Sequence, residues 1–273
     1  MAPVASSIDQ QHVVFDVWAG TYDEVFTESC IGRAQRASVW VEIDKHFTAG
    51  KRILEINCGT GADALHMVGR GARVVACDVS SKMLAAAANR LSGAEAEGSV
   101  ELRLLAIENL WKIEGSALFD GALSNFAGLN CVADLTSSAK ELARLLKPGA
   151  KLIICIFGRW CLWEMLWYLA KSNSRKAFRR LGRQGATLRF NARELCVHYP
   201  SVQHLKRVFL PFFTLKTWKG VGITVPPSYL EPLAIRFRRA FRVAVFVDRG
   251  LSRLPIMRGF SDHLLLTFER IED

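Results

Sequence analysis

The chain has 273 residues, half of them apolar and a tenth aromatic, which sets aside disorder and a small disulfide-stapled scaffold and allows one sizeable core. Its formal charge of +10 is lopsided: residues 1–150 hold 14 basic and 18 acidic side chains, and residues 151–273 hold 22 and 8. Seven scattered cysteines (Cys30, Cys58, Cys77, Cys131, Cys155, Cys161 and Cys196) form no CxxC pair, which predicts reduced thiols and no metal site.

Met1–Ser7 shows neither a basic n-region nor an apolar h-region, and the longest apolar run, Trp160–Ala170, is too short to span a bilayer and contains Glu164. Together with the cysteine usage this predicts a cytoplasmic protein. Val14, Phe15, Trp18, Val25 and Phe26 recur near a helical period, broken by Gly20-Thr21-Tyr22-Asp23. A second helix is expected from Gly32 to Phe47, ended by Thr48-Ala49-Gly50. Ile53–Ile56 reads as a buried strand. It breaks into Asn57-Cys58-Gly59-Thr60-Gly61, whose residues tolerate positive φ, and a helix begins at Ala62. Strand, glycine turn and helix in that order form a nucleotide-binding corner: missing Cβ atoms admit a ligand to the backbone, and the helix start offers free N–H groups. The next strand, Arg73–Cys77, ends in Asp78 about 20 residues beyond the turn, where a carboxylate can accept from ribose hydroxyls.

Ser80 or Ser81 caps an alanine-rich helix over 82–91. Strands follow at Val100–Leu105, Phe119–Phe126 and Lys151–Phe157, with Ala106-Ile107-Glu108-Asn109-Leu110 leaving the first of them, a helix at Thr136–Leu146 and a turn at Lys147-Pro148-Gly149. This alternation predicts a parallel sheet with helices on both faces. Beyond Gly158 it stops. A helix is expected from Trp160 to about Leu181, with an aromatic stripe (Trp160, Trp163, Trp167) and a basic tail, Lys171–Arg183. A β segment is expected over 205–225, a helix carrying Arg236, Arg238, Arg239 and Arg242 from Tyr229 to about Leu251, and a last strand at His263–Ile271. The 226–260 piece, set between two strands able to pair antiparallel, reads as a cap over a pocket mouth.

Taken together, these motifs resemble those of the class I S-adenosylmethionine-dependent methyltransferases, and Tyr22-Asp23 is similar to the leading segment of the ubiquinone/menaquinone-type small-molecule members. Leu54–Gly61 resembles that family's first motif, Cys77-Asp78-Val79-Ser80 with Met83-Leu84 its second, Ala106–Leu110 its adenine segment, Phe119-Asp120 its fourth-strand motif and Leu145–Gly149 the turn before strand five. Two departures stand out: Asn57 occupies a usual glycine position, and Ala106 a usual aspartate. The resemblance implies an α/β fold, a doubly wound, seven-stranded, mostly parallel Rossmann-like sheet with an antiparallel last strand and a helical cap. It implies a single methyltransferase domain over 1–273, with an N-terminal helical segment (1–48), a cofactor-binding core (49–157) and a substrate-binding half (158–273).

The implied cofactor is S-adenosyl-L-methionine. Glu55 is expected to fix its methionine end; Asn57, Cys58, Gly59 and Gly61 to admit it; Asp78 and Val79 to meet the ribose; Met83, Ala106, Ile107 and Glu108 to meet the adenine. Asn125 and Phe126 should face the transferred methyl, and Tyr22 should fold over the cofactor. Candidate bases are Tyr22, His12, His198 and His263, with Asn125 as a further catalytic candidate. Aromatic residues mixed with arginines in the second half suit a small apolar, aromatic or lipid-like acceptor and peripheral membrane association, with a merely solvated basic face as the alternative. Methylation of RNA or protein, or cofactor binding without methyl transfer, stay open as other classes. No appended RNA-binding module or Asn/Asp-Pro-Pro-aromatic motif is seen, Ser124-Asn125-Phe126 standing in its place, which disfavours nucleic acid.

Overall fold

The computed structural model describes residues 7–93, 98–182, 185–190 and 193–272. Met1–Ser6 and Arg183, which entered the sequence reading, lie outside them. Two helices lead in, α1 (Ser7–Trp18) and α2 (Cys30–His46), joined through a π-helical turn at Asp23–Thr27. Ser29 caps α2 by accepting from the Gly32 N–H at 2.9 Å. The core then alternates: β1 (Arg52–Ile56), α3 (Ala62–Gly69), β2 (Arg73–Asp78), α4 (Ser81–Leu91), β3 (Val100–Leu104), β4 (Phe119–Ser124), α5 (Thr136–Leu145) and β5 (Leu146–Phe157). After α6 (Leu162–Ala170) and α7 (Ser174–Ala177) comes a separate hairpin, β6 (Ala186–Phe190) with β7 (Arg193–Val197). The chain ends with α8 (Val202–Phe209), β8 (Phe213–Val221), α9 (Glu231–Arg236), α10 (Arg238–Leu251) and β9 (His263–Arg270).

The seven-stranded sheet has the order β3-β2-β1-β4-β5-β9-β8. Strands β1 to β5 pair in parallel, and β9 runs antiparallel to both β5 and β8. The expected sheet and its antiparallel last strand are therefore present. Its inner strands β2, β1, β4, β5 and β9 are buried on both faces along most of their length, which is why they read as largely apolar runs, whereas the edge strands β3 and β8 carry exposed residues. One face packs Leu54, Ile56 and Leu152 against α5 and α8; the other packs Ile53, Val74 and Ile153 against α2, α3 and α4. The winding reverses between β1 and β4, and the crevice beyond their carboxyl ends is where such sheets bind ligands.

At the opposite end of the sheet, Asp120 accepts from the Arg52 N–H and from Lys147 Nζ, both at 2.8 Å. The Phe119-Asp120 and Lys147-Pro148-Gly149 motifs thus tie three strands together rather than serve a ligand. The cap is tied down by two carboxylates. Glu231 accepts from the N–H groups of Cys30 and Ile31 at the start of α2, at 2.7 and 3.0 Å. Asp248, buried on α10, accepts from Ile223 and Thr224 N–H at 2.6 and 2.7 Å.

Three expectations for the second half are corrected. The helix from Trp160 breaks at Ser172, whose φ is +54°, and Asn173 caps a new turn by accepting from the Lys176 N–H. The β segment begins at Phe213 rather than at residue 205, because Ser201 caps α8 through the His204 N–H at 3.1 Å and α8 buries Leu205 and Phe209 one turn apart. The helix from Tyr229 is divided at Phe237, which sits at φ −112°, ψ 50°. The β6–β7 hairpin was not anticipated. Replacing Ser201 by Ala should cost about 1 kcal/mol and by Gly only a few tenths; urea unfolding of both variants checks that 202–209 is a capped helix.

Candidate active site

A cavity of roughly 330 Å³ opens over the carboxyl ends of β1 and β4. Its floor is the glycine turn. Asn57, Gly59 and Gly61 all have positive φ (57°, 54° and 76°). Their duties differ. A Cβ built on Gly59 would meet nothing nearer than Tyr22 Cε1 at 4.0 Å, so this stretch of backbone lies bare toward the cavity. A Cβ on Gly61 would stand 3.0 Å from Ala87 Cβ, so this glycine sets the approach of α3 to α4. A Cβ on Gly128 would fall 2.3 Å from Asn57 Nδ2, so Gly128 makes the room that Asn57 occupies.

Asp78 closes one end of the floor. Its carboxylate accepts from the N–H groups of Gly59 at 2.8 Å and Ser80 at 2.9 Å. Burial raises its pKa, against the pull of those N–H donors. Glu55 is fully buried on β1 with Oε2 unpartnered, and burial, reinforced by the charge of Asp63, pushes its pKa well above the usual carboxylate range. Above the floor, Asp23 accepts from Thr60 Oγ1 at 2.6 Å and from Arg90 Nη2 at 2.8 Å, which seats the neighbouring Tyr22 over Gly59. Burial of the Tyr22 hydroxyl, opposed by the Arg36 charge, pushes its pKa up to about 12.

The centre of the site is a residue that the sequence reading did not single out. Asp63, buried in the first turn of α3, accepts from Arg36 Nη1 at 2.6 Å, Trp40 Nε1 at 2.7 Å and Asn125 Nδ2 at 2.8 Å. Asn125 also accepts, through Oδ1, the N–H of Phe126 at 3.0 Å, so its amide is held at both ends. Phe126 and Ala127 follow with φ of 47° and 70°, two consecutive non-glycine residues in the left-handed region. Such strain persists only where the surroundings enforce it. Here the Phe126 ring is boxed by Phe26 at 4.7 Å, His263 at 5.3 Å and the Arg36 guanidinium at 4.9 Å.

The far wall belongs to the second half. His263, buried at the start of β9, stacks on Phe157 with centroids 4.6 Å apart. Burial, only partly offset by Asp262, pulls its pKa down to about 4, so the ring is neutral near pH 7. Beside it lies a buried ion network. Arg180 Nη2 reaches Glu164 Oε2 and Asp262 Oδ1, both at 2.8 Å; Arg179 Nε reaches Glu164 Oε1 at 2.8 Å; Gln35 Nε2 reaches Asp262 Oδ2 at 3.2 Å. The lone acid in the apolar 160–170 run was the sequence signal for this network. Asp63 had a fainter one, an acid one residue inside the helix that follows the glycine turn.

Of the expected site residues, Tyr22, Asn57, Cys58, Gly59, Asp78, Val79, Met83, Asn125, Phe126 and His263 all line the cavity. Glu55, Gly61, Ala106, Ile107 and Glu108 do not line it, and Ile107 is packed into the core. His12 is on α1, its Nε2 3.5 Å from Asp16. His198 also lies off the cavity, its backbone bonded to Asn130.

Two outcomes test this geometry. Asp63→Ala leaves the buried Arg36 charge without its carboxylate and should cost about 3–5 kcal/mol in urea unfolding. His263→Phe should flatten the dependence of stability on pH. An unfolded imidazole takes its proton near 6.5 and the folded one only near 4, so the wild type loses stability as pH falls through that window. The loss is at most about 3 kcal/mol, read as the difference in slope between the two proteins.

Residues 53–149 match the family described as Methyltransferase domain. A demethylmenaquinone methyltransferase of Thermobifida fusca is 33% identical over 146 residues, which is 53% of this chain and 59% of that protein. Among solved structures, the cyclase SpnF has a TM-score of 0.63 at 16% identity over 99% of both chains. The 1,6-didemethyltoxoflavin-N1-methyltransferase of Burkholderia thailandensis has a TM-score of 0.58 at 16% identity, covering 100% of this chain and 93% of that one. At such identities the structures speak for the fold alone. Motifs, family match and sheet order agree: residues 53–149 match the family described as Methyltransferase domain and lie on a Rossmann-like sheet.

Proposed function

We propose that this chain is an S-adenosylmethionine-dependent methyltransferase that modifies a small apolar or aromatic acceptor in biosynthesis. The observation that carries this reading is one continuous cavity, which runs from the Gly59–Asp78 corner past the Asn125–Phe126 turn to the rings of Phe157 and His263. The residues fit the cofactor. A ribose finds the Asp78 carboxylate; a methionine ammonium finds the Asp63 carboxylate, which lines the cavity; an adenine finds the apolar sides of Val79 and Met83.

Bound there, S-adenosylmethionine supplies a methyl group on a sulfonium, an electrophile that needs alignment more than activation. The chain's task is therefore orientation, which can contribute several kcal/mol to the barrier. The Asn125 amide, held by Asp63 and the Phe126 N–H, and the strained Phe126 turn fix the middle of the cavity. Phe157, His263 and Tyr229 offer ring surface to a planar acceptor, and the ion network of Glu164, Arg179, Arg180 and Asp262 lines the cavity's edge. The His263 imidazole, neutral because its pKa is pulled down to about 4, is a weak proton acceptor, so alignment rather than base catalysis is the larger contribution. The similarity to a demethylmenaquinone methyltransferase supports a small apolar acceptor.

S-Adenosylhomocysteine at about a hundred times its Kd should stabilise the protein by about 2.7 kcal/mol, and Asp78→Ala should abolish the shift. Label from methyl-labelled cofactor should then enter an organic extract of the source cell rather than its macromolecules. No stabilisation would overturn the cofactor assignment; stabilisation with label in RNA or protein would overturn the acceptor class.

A further inference from the structure

The stretch 232–261 contains seven arginines and a single acid, Asp248. That acid is buried and spent on the backbone N–H groups of residues 222–225. The outer surface of this stretch therefore carries positive charge with no negative charge among it. It is also apolar in an unusual way. On α10, Phe241 and Val245 pack inward against Ile31, Val225 and Ala234. On the outer side, Val243 and Phe246, three residues apart, are 62% and 77% exposed. Ile235 and Phe237 before the helix and Ile256 after it are exposed by 55%, 55% and 71%. Arg239, Arg242 and Arg249 flank this stripe, exposed, with no acidic partner among the described residues.

A helix that buries one apolar face and presents a second, ringed by arginines, is not explained by packing within the chain. Large side chains exposed between guanidinium groups have the composition of an interfacial helix, whose rings enter the acyl boundary while its cations meet lipid phosphates. We propose that the outer face of α9 and α10, with Ile256 beyond it, docks on an anionic bilayer surface. The choice of occupant rests on charge: a second copy of this chain would set the same arginines against each other, whereas an anionic leaflet complements all of them. Pro227, Ser228 and Tyr229, which lead directly into α9, line the cavity, so docking brings the cavity's cap side to the membrane. The surface stands independently of the chemistry proposed for the cavity.

Co-sedimentation of the whole chain with vesicles tests this. Binding is expected to phosphatidylcholine vesicles containing phosphatidylglycerol and not to phosphatidylcholine alone, and it should weaken as salt screens the arginines. Val243→Ser with Phe246→Ser, and separately Arg239→Gln with Arg242→Gln, should each lower the vesicle-bound fraction about tenfold with an unchanged melting temperature, since these side chains are exposed. Sedimentation unaltered by both double variants would overturn the proposal. So would failure to bind the anionic vesicles, including the case where size exclusion shows a dimer that Phe246→Ser dissociates, which assigns the face to a second copy.

Discussion

The site depends on one carboxylate held out of water by three donors. Asp63 sits where three elements meet, and a buried anion is tolerated only when charge and hydrogen bonds replace its hydration. Arg36 and Trp40 supply these from α2, and Asn125 from the end of β4. The consequence is geometric. Helix α2 cannot drift from the glycine turn, and the Asn125 amide cannot rotate, without breaking these bonds. The strained backbone at Phe126 and Ala127 is held by this arrangement, together with the Ala127 N–H bond to Cys155 O at 3.1 Å.

A second charge cluster does similar work on the cavity wall built by the second half of the chain. Glu164 and Asp262 face Arg179 and Arg180, so the formal charges cancel and most donors are matched. Such clusters add little net stability compared with apolar packing, but their directional bonds define an arrangement more sharply. They join α6 and the turn after α7 to the start of β9, the strand that carries His263. The neutral state of that imidazole follows from the same packing: the buried ring lies against Phe157 and Phe126, where a positive charge would be poorly solvated.

The first half of the chain was legible because its signals are local. A buried strand, a turn needing positive φ and a helix start lie within a dozen residues, and the second carboxylate follows at a fixed distance. Asn57 reads as a departure in sequence, yet it takes the left-handed conformation, and the fold accommodates it through Gly128, more than seventy residues away. No spacing rule reaches that far. Asp63, Arg36 and the Glu164 network were missed for the same reason, since each gains its meaning from partners on other elements. In the second half, α8 was mistaken for strand because Leu205, Val208 and Phe209 suit either period over so short a run, and the Ser201 cap decides for the helix.

Glu231 carries a last consequence. Its carboxylate sits on the N–H groups that open α2, where the helix dipole also favours a negative charge. The segment that opens α9 is thereby bonded to the helix that supplies Arg36 and Trp40 to Asp63. The two halves are not interchangeable cartridges: a chimera that grafts a foreign 226–260 segment onto this core removes the carboxylate partner of the first turn of α2. Recombination that respects the sheet boundaries alone will cut through this bond, whereas side chains that line the cavity, such as Phe157, Tyr229 and His263, can be changed without touching it.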